Sequence, residues 1–302
     1  RGRDMHVGKV VEVWRYPVKS MGGEAVAQAL VDTGGLAGDR HWAVIDGDAR
    51  EIRSAKRWPE LLGYCARYVG GRAPATDAYA AAVIPVEIVA PDGRTLHSAA
   101  ADRDAELSAW VQRVVRLSPR APAHDRDHYR LARARTPEST AAEMDLQAGE
   151  APPDFSLMSD AAAVIMQDLA DCATPPGSYV DAFPLHLLSR NALAWLSARS
   201  GLDTDVRRFR PNLLIDIDGA GAEPGEDAWI GWHLAIGEVR LRIDSRTVRC
   251  AMPGRAQPRF GLAEQPTLAR ALVEHGRRQL GVNVIVEQPG MIRAGDPILR
   301  IG

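Results

Sequence analysis

The sequence Met5-His-Val-Gly-Lys-Val-Val-Glu-Val-Trp14, followed after Arg15 by Tyr16-Pro-Val-Lys-Ser-Met-Gly-Gly23, decides the fold. Its first part is rich in β-branched residues and bounded by a proline, which predicts a strand. Its second part leaves that strand in a glycine-rich turn that carries Lys19 and Ser20. Such a turn exposes backbone N–H groups, and with a cation and a hydroxyl it can hold an anion such as phosphate. An ordinary surface loop is the alternative, since glycine-rich turns are common.

Strand-forming patterns continue through most of the chain and end in a strand–turn–strand pattern from residue 283 onward. The predicted strands and hairpins span residues 25–32, 41–46, 83–89 with 94–97, and 229–243. Apolar residues at helical spacing predict helices over residues 104–117, 187–200 and 267–280. We therefore predict a mainly β protein with covering helices (α+β), whose sheets close into barrels because closure removes unpaired edges.

Composition excludes several classes of protein. The 302 residues are 46% hydrophobic and 25% charged, which is typical of a globular chain. No apolar run approaches the roughly 20 residues that span a bilayer, and no secretion signal is recognised, so we expect a soluble, cytoplasmic protein without a membrane partner. A net charge of −2 gives no electrostatic footprint for nucleic acid.

Cysteine and lysine are scarce. The three cysteines, Cys65, Cys172 and Cys250, fit neither a disulfide framework nor a zinc or iron–sulfur site, so no built-in electron-transfer cluster is expected. The basic residues are almost all arginine, with lysine only at positions 9, 19 and 56. Arginine usage of this kind is typical of a GC-rich genome. Because ordinary surface positions here use arginine, each lysine is also a candidate for a specific role.

Two further segments could bind an anion. In Gly38-Asp39-Arg40, the guanidinium could clamp a phosphate or form a local ion pair with the preceding carboxylate. In Arg207-Arg-Phe-Arg-Pro-Asn212, three arginines precede an apolar strand. They fit an anionic ligand or a solvated face equally well, and Asn212 offers both a donor and an acceptor for the edge of a heterocycle.

The segment Thr247-Val-Arg-Cys250-Ala-Met-Pro253 contains a candidate reactive thiol. Two nearby arginines, Arg246 and Arg249, favour the thiolate form, and a soft thiolate suits soft metals. For a lone cysteine, a buried small hydrophobic side chain is the commoner role. Motifs for zinc proteases, nucleophile elbows, Walker loops and Rossmann folds are absent from the sequence.

Taken in order, these segments resemble the MOSC family, named after the C-terminal domain of molybdenum cofactor sulfurases. Tyr16–Ser20 and Gly38–Arg40 are similar to its N-terminal β-barrel domain. The segments similar to the MOSC domain itself are Tyr179-Val-Asp-Ala-Phe-Pro-Leu-His-Leu-Leu-Ser189, Arg208-Phe-Arg-Pro-Asn212, Trp229-Ile-Gly231, Val248-Arg-Cys250, Leu280-Gly-Val282 and Gly295-Asp296. The resemblance implies a MOSC N-terminal β-barrel domain over 5–120, a connecting segment over 121–153 and a MOSC β-barrel domain over 154–302.

The resemblance also implies a cofactor site. The mitochondrial amidoxime-reducing proteins and their bacterial counterparts hold a molybdopterin cofactor between two lobes, with a cysteine as molybdenum ligand. Cys250 matches that cysteine and is therefore the expected metal ligand and catalytic residue. The other residues that match cofactor-binding positions are Lys19, Ser20 and Arg40 for the pterin and its phosphate, Arg210 and Asn212 along the cofactor, and Asp181 on a loop that approaches it.

The function implied is a molybdenum-dependent oxidoreductase that reduces N-hydroxylated or other N- or S-oxygenated small molecules. A separate flavoprotein or ferredoxin would supply electrons. Two departures lie where substrate should meet the metal, namely Phe183 in place of a small hydroxyl residue and 251–259 in place of a threonine-rich segment. They leave the substrate class open. The alternatives are a sulfur carrier or transferase with a Cys250 persulfide, and a non-catalytic cofactor carrier.

Overall fold

Strands form most of the regular structure in the computed structural model, which describes residues 4–71, 84–153, 159–219, 221 and 223–302. The strands are β1 (Met5–Arg15), β2 (Glu24–Val26), β3 (Gln28–Asp32), β4 (Gly35–Leu36), β5 (Trp42–Asp46), β6 (Cys65–Tyr68), β7 (Val86–Val89), β8 (Thr95–His97), β9 (Val115–Pro119), β10 (Leu185–Ser189), β11 (Leu213–Ile217), β12 (His233–Ile236), β13 (Val239–Val248), β14 (Gln279–Gln288), β15 (Gly290–Arg293) and β16 (Pro297–Ile301). The α-helices are α1 (Arg103–Val111), α2 (Arg126–Tyr129), α3 (Pro137–Met144), α4 (Asp160–Asp168), α5 (Arg190–Ser200), α6 (Val206–Phe209) and α7 (Leu268–Gly276).

The largest sheet closes on itself as a barrel. Its strand order is β11-β10-β14-β13-β12-β16-β1, and β1 pairs again with β11 to complete the circle. Inward residues alternate with outward ones, as in β13, where Val239, Leu241 and Ile243 are buried and Arg240 is exposed. Each aliphatic side chain fully buried in this way stabilises the fold by roughly 1.5–3 kcal/mol. The prediction of a mainly β protein with a closed barrel is confirmed.

A second lobe lies beside the barrel. It contains the β5–β9 pair and the β6-β7-β8 sheet. The glycine-rich turn after β1 joins this lobe through β-bridges between Val18 and Trp42 and between Gly22 and Cys65. A separate apolar core fills this lobe and includes Val44, Leu62, Ile88, Leu96 and Leu117. Helix α1 packs on β9 and β8 and covers one side of it.

The chain crosses between the lobes more than once. Strand β1 lies in the barrel, although its sequence precedes the whole second lobe, and Met252 from the loop after β13 packs into the second lobe's core. The division into 5–120, 121–153 and 154–302 remains a prediction, and residues 154–158 lie outside the described part. No helix in the described ranges is long and apolar enough to cross a membrane.

Three predicted helix boundaries were wrong. Helix α1 ends at Val111 because Gln112 adopts a left-handed conformation, and residues 115–119 form β9 instead of the last turns of a helix over 104–117. Residues 187–189 belong to β10, and α5 begins after Ser189, whose side chain caps it by accepting a hydrogen bond from the Ala192 N–H. Helix α7 ends at Gly276, so the end of the predicted 267–280 helix is the start of β14.

The other strand predictions are close to the structure. The predicted strand over 25–32 is interrupted at Ala27, which separates β2 from β3. The hairpin around 91–93 is present as β7 and β8, and Val83 at its predicted start lies outside the described residues. Gly201 ends α5 with a φ of 70°, as its position after the last helical residue predicts.

The segment predicted as a connection holds more structure than its sequence pattern indicates. Helix α3 begins at a capping box between Thr136 and Ser139, with Pro137 as its first residue. Helix α4, which follows this segment and was not predicted, is capped by Ser159, whose side chain accepts a hydrogen bond from the Ala162 N–H. Both helices lie against the cleft between the lobes and help to line the cavity described next.

Candidate functional site

A cavity of about 470 Å³ lies between the two lobes. Arg40 and Lys56 come from the second lobe, and the loop after β13 brings Cys250 from the barrel. Among described residues, its cationic side chains are Arg40, Lys56, Arg135, Arg208, Arg210, Arg246 and Arg249, and its carboxylates are Glu143 and Asp181. The excess of positive charge makes the cavity suitable for an anionic ligand.

Two of these arginines are stacked on one aromatic ring. The guanidinium carbons of Arg40 and Arg210 lie 4.5 and 4.3 Å from the centroid of the buried Tyr16 ring. The Tyr16 hydroxyl donates to the Pro211 carbonyl oxygen over 3.1 Å, which fixes the ring against the segment that carries Arg210. Tyr16 therefore holds an arginine from each lobe at the same place.

Burial and the neighbouring Arg40 disfavour the charged form of Arg210, against a partial offset from Asp181 and Asp39. Burial lowers the pKa of Arg210 to about 10, and the positive charge of Arg40 adds to that effect. Arg210 donates from Nη1 to the Met21 carbonyl oxygen over 2.6 Å, a neutral partner that does not compensate its charge. A bound phosphate would reduce the repulsion between these two guanidinium groups.

Asp39 organises the neighbouring predicted residues. Its carboxylate pairs with Arg40, accepts from the Tyr16 N–H over 2.8 Å and accepts from the Asn212 side-chain amide over 3.1 Å. Asn212 also accepts from the His186 N–H over 3.1 Å, so its amide joins β10 to the start of β11. The Asp39–Arg40 ion pair is therefore present, and the predicted contact of Asn212 with a heterocycle edge stays a prediction.

Lys19 and Lys56 share one carboxylate at the cavity. Lys19 Nζ donates to Asp181 Oδ1 over 2.5 Å and to the Tyr179 carbonyl oxygen over 3.0 Å, while Lys56 Nζ lies 3.9 Å from the same Asp181 oxygen. Desolvation raises the pKa of Asp181, but the two ammonium groups outweigh it and hold the pKa well below its usual range. The two lysines therefore favour the ionised form of Asp181.

Ser20 lies away from the cavity lining. Its side chain is buried, and its hydroxyl oxygen accepts a hydrogen bond from the Ala55 N–H over 2.9 Å. That bond ties the glycine-rich turn to the segment that carries Lys56, the next residue in the chain. Of the predicted site residues, Arg40, Asp181, Arg210, Asn212 and Cys250 line the cavity, while Lys19 reaches it through Asp181.

Cys250 is a free, half-buried cysteine just after the end of β13. The preceding Arg249 is buried and donates to the Leu280 and Phe209 carbonyl oxygens and, from Nη2, to His186 Nε2 over 2.5 Å. Burial and the charge of Arg249 keep the pKa of His186 well below its usual value, so the imidazole is neutral. The hydrogen bonds of Arg249 therefore fix the start of the loop that carries Cys250 to the cavity.

Tyr16, Lys56 and His186 also belong to this site, although the sequence did not assign them to it. Arg249 was expected only as a charge near Cys250. Tyr16 and His186 stand inside segments that carry the family resemblance, but no sequence pattern assigns them a contact. The scarcity of lysine was the signal for Lys56, and its side chain is indeed a wall of the cavity. Cys65 and Cys172 lie outside the cavity lining, as expected for cysteines in no matched motif.

Two family models match consecutive parts of the chain. Residues 7–116 match the MOSC N-terminal beta barrel domain, and residues 175–299 match the MOSC domain. Mitochondrial amidoxime-reducing component 1 of Homo sapiens is 25% identical over 322 residues, which cover 98% of this chain and 84% of the human protein. Mitochondrial amidoxime reducing component 2 of Homo sapiens is 25% identical over 335 residues, covering 100% of this chain and 86% of that protein.

Among solved structures, the YUAD protein from Bacillus subtilis aligns over 99% of this chain and 97% of its own, with 14% identity and a TM-score of 0.44. The family assignment rests on the two family models, which match residues 7–116 and 175–299 in consecutive order. The chain is a member of the MOSC family, with a MOSC N-terminal beta barrel domain followed by a MOSC domain.

Proposed function

We propose that this protein binds a molybdenum cofactor between its lobes, with the Cys250 thiolate as the metal ligand. We further propose that it reduces N-hydroxylated or other N- or S-oxygenated small molecules. The main observation in support is that Cys250, Arg40 and Arg210 line the same cavity. A soft ligand for a metal and two cations for a phosphate come from three separate parts of the sequence.

The donor set around Cys250 suits a metal that brings ligands of its own. In the described part of the chain, no three histidine, cysteine or acidic side chains lie close enough together to hold a metal ion. One thiolate alone does not retain a metal, since stable protein sites use several ligands. A molybdopterin, whose dithiolene sulfurs bind the metal, needs only the single protein ligand that Cys250 offers.

The cationic part of the cavity suits the rest of that cofactor. Arg40 and Arg210 would bind the terminal phosphate, because planar guanidinium groups match phosphate oxygens with paired hydrogen bonds. Tyr16 holds the two guanidinium groups in place, and the Asp39 carboxylate orients Arg40. The cavity volume of about 470 Å³ lies within the usual range of roughly 300–1,000 Å³ for sites of small molecules.

When bound, the cofactor would supply two-electron chemistry at a metal that can accept an oxygen atom from substrate. The protein's own residues would position the substrate and control its charge. Asp181, held ionised by Lys19 and Lys56, places a fixed negative charge beside positive ones in the cavity. Phe183 and Met252, both buried and lining the cavity, would help to exclude water from the bound substrate.

The names of the relatives support the substrate class. Two human proteins that match nearly the whole chain are amidoxime-reducing components, and an amidoxime carries a hydroxyl group on nitrogen. Reduction of such a group consumes two electrons and two protons and releases water. We expect a separate flavoprotein or ferredoxin to deliver the electrons, since no second redox centre is evident in the sequence. A cytoplasmic setting remains our prediction, because the thiol at position 250 must stay reduced.

Elemental analysis tests this proposal directly. Protein produced in cells that load other molybdoenzymes is expected to contain about one molybdenum per chain and to oxidise a reduced electron donor when an amidoxime is added. A protein without molybdenum from such cells contradicts the proposal. A persulfide on Cys250 in that metal-free protein would instead establish the sulfur carrier, and a full metal load without any reduction would establish a cofactor carrier.

A further inference from the structure

The cavity has a second wall that differs in chemistry from the arginine-rich one. Met144 at the end of α3, Met166 on α4 and Leu169 just after α4 line this wall, and Val180 and Phe183 continue it on the neighbouring loop. Met144, Met166 and Leu169 are only partly buried by the protein itself. The wall therefore leaves apolar surface facing the cavity, where an apolar ligand could cover it.

The proposed cofactor does not account for this wall. A phosphate is anionic and a pterin edge is rich in hydrogen-bonding groups, so both are better satisfied by Arg40, Arg210 and the polar groups near Tyr16. The apolar side chains of this wall offer such groups no partner, and the neighbouring Glu143 is already paired with Arg57 and Arg135. The surface of α3 and α4 is thus available to whatever enters the cavity next to Cys250.

Methionine gives the wall an unusual property. Met144, Met166 and Met252 are three of the seven methionines in the chain, and all three line this cavity. The unbranched, polarizable side chain of methionine adapts to apolar surfaces of different shape, which is why it is common at binding surfaces that accept several partners. The wall is therefore suited to apolar groups of varied outline.

The helices of this wall are held from both lobes. Glu143 on α3 accepts from Arg57 Nε over 2.8 Å and from Arg135 Nη1 over 2.9 Å, and its carbonyl oxygen accepts from the Ala251 N–H over 3.2 Å. The last of these bonds joins α3 directly to the residue after Cys250. The apolar wall and the thiol therefore keep a fixed relation to each other, as a substrate subsite requires.

On the basis of the proposed function, we propose that the α3–α4 wall is a substrate subsite that takes the apolar body of the N-oxygenated molecule. The substrates would then carry an aromatic or branched aliphatic body, and the wall would set their affinity. The reacting nitrogen–oxygen group would lie towards Cys250. Small polar N-oxygenated compounds would bind weakly because they leave the wall uncovered.

The test compares two amidoximes that share the reacting group but differ in body, benzamidoxime and acetamidoxime. Their dissociation constants are measured by isothermal titration calorimetry on the oxidised protein without an electron donor, so that no turnover occurs. We expect the wild type to bind benzamidoxime at least about tenfold more tightly than acetamidoxime. Met166→Gln should weaken the binding of benzamidoxime about tenfold, because a polar amide replaces an apolar contact. The same variant should change the affinity for acetamidoxime by less than about twofold.

Three further variants complete the design. Met166→Leu and Met144→Leu keep an apolar wall and should retain the preference for benzamidoxime. Met5→Gln changes an exposed methionine on β1 and should leave both dissociation constants unchanged.

Equal affinity of the wild type for both amidoximes, or equal weakening of both by Met166→Gln, would overturn the subsite. So would loss of molybdenum from Met166→Gln, since the wall would then serve the cofactor. The absence of molybdenum from the wild type would refute the proposed function alone, because the two titrations report on the wall independently.

Discussion

Three predicted site residues hold backbone conformations that L-amino acids rarely adopt. Ser20, Arg40 and Arg210 have φ angles of 68°, 50° and 54°. Each such conformation costs roughly 1–3 kcal/mol unless the surroundings impose it. Here the Arg40 N–H donates to the Tyr16 carbonyl oxygen, and the Arg210 N–H closes the last turn of α6. Local hydrogen bonds thus hold Arg40 and Arg210 in the conformations in which both side chains reach the cavity.

At this scale we predict that Arg210→Gln weakens cofactor retention. Glutamine can still donate to the Met21 carbonyl oxygen, so the substitution removes the charge and the paired donors with little change in packing. Losing a charge-assisted bond to a desolvated phosphate should cost roughly 1.5–3 kcal/mol, about ten- to a hundredfold in affinity. Molybdenum content after gel filtration measures the effect.

Arg67→Gln is the matched control for Arg210→Gln. Arg67 is exposed on β6 and pairs with Glu87 across the neighbouring strand, away from the cavity. It should keep the molybdenum content of the wild type. The same molybdenum content in both variants would show that Arg210 does not bind the cofactor.

At the scale of elements, the end of α1 shows how a periodic pattern can mislead. Val114 and Val115 fit the helical spacing that starts at Leu107, yet Gln112 turns into a left-handed conformation with φ 54° and ends the helix. Val115 and Leu117 then alternate with Arg116 in β9, which pairs with β5. β-Branched residues are stiff in a helix and favourable in a strand, so pairing with β5 outweighs the helical pattern.

We predict that Gln112→Gly stabilises the protein. Glycine adopts a left-handed conformation without steric cost, so the variant should raise the free energy of unfolding by roughly 0.5–1 kcal/mol. Gln167→Gly should have the opposite effect, because Gln167 lies within α4. Glycine at a helical position should lower the free energy of unfolding by about 1 kcal/mol. Urea unfolding of both variants checks the pair. A destabilised Gln112→Gly would mean that the side chain contributes more than the backbone strain removes.

At the scale of the whole molecule, one buried ion pair fastens the connecting segment to the barrel. Arg278, just before β14, donates to both Glu150 carboxylate oxygens over 2.5 and 2.6 Å and to the carbonyl oxygens of Met144 and Asp145. These bonds hold the end of α3 against the barrel. Arg278 therefore anchors the end of the segment that contributes Met144 to the cavity, in addition to the bonds that Glu143 makes.

This anchor makes stability depend on pH. The hydrogen bonds from Arg278 lower the pKa of Glu150 below its ordinary value of 4.5. A carboxylate with a depressed folded pKa contributes stability that is present above its unfolded value and is lost as pH falls through the folded value. We predict that Glu150→Gln lowers the free energy of unfolding at pH 7 and reduces its loss as the pH falls below about 4.5.

Urea unfolding at a series of pH values measures this effect. Glu223→Gln, which removes a carboxylate with an exposed side chain, should follow the wild-type curve. A Glu150→Gln curve parallel to the wild type over the whole acid range would show that the Arg278–Glu150 pair contributes nothing to the pH dependence.

Most of the architecture could be predicted from the sequence, because alternation and turn residues specify strands locally. The closed barrel, the helix-ending Gly201 and the positions of Arg40, Arg210 and Cys250 all follow from local patterns or from the family resemblance. The position of β1 in the barrel, and the contribution of α3 and α4 to the cavity, depend on contacts between residues more than a hundred positions apart. No local pattern encodes such contacts, which is also why Lys56 and Tyr16 were not assigned to the site.

Cys250 is the proposed ligand of molybdenum, and the proposed chemistry depends on it. The most direct test is X-ray absorption at the molybdenum edge, measured on the wild type and on Cys250→Ser, with Cys65→Ser and Cys172→Ser as controls. Serine keeps the shape of the side chain but replaces a soft, easily ionised sulfur with a hard hydroxyl. The proposed phosphate contacts come from other segments, so Cys250→Ser should still carry molybdenum. We predict one sulfur fewer around the metal in Cys250→Ser and an unchanged spectrum in both controls, whereas an equal number of sulfur ligands in Cys250→Ser and the wild type would contradict the account.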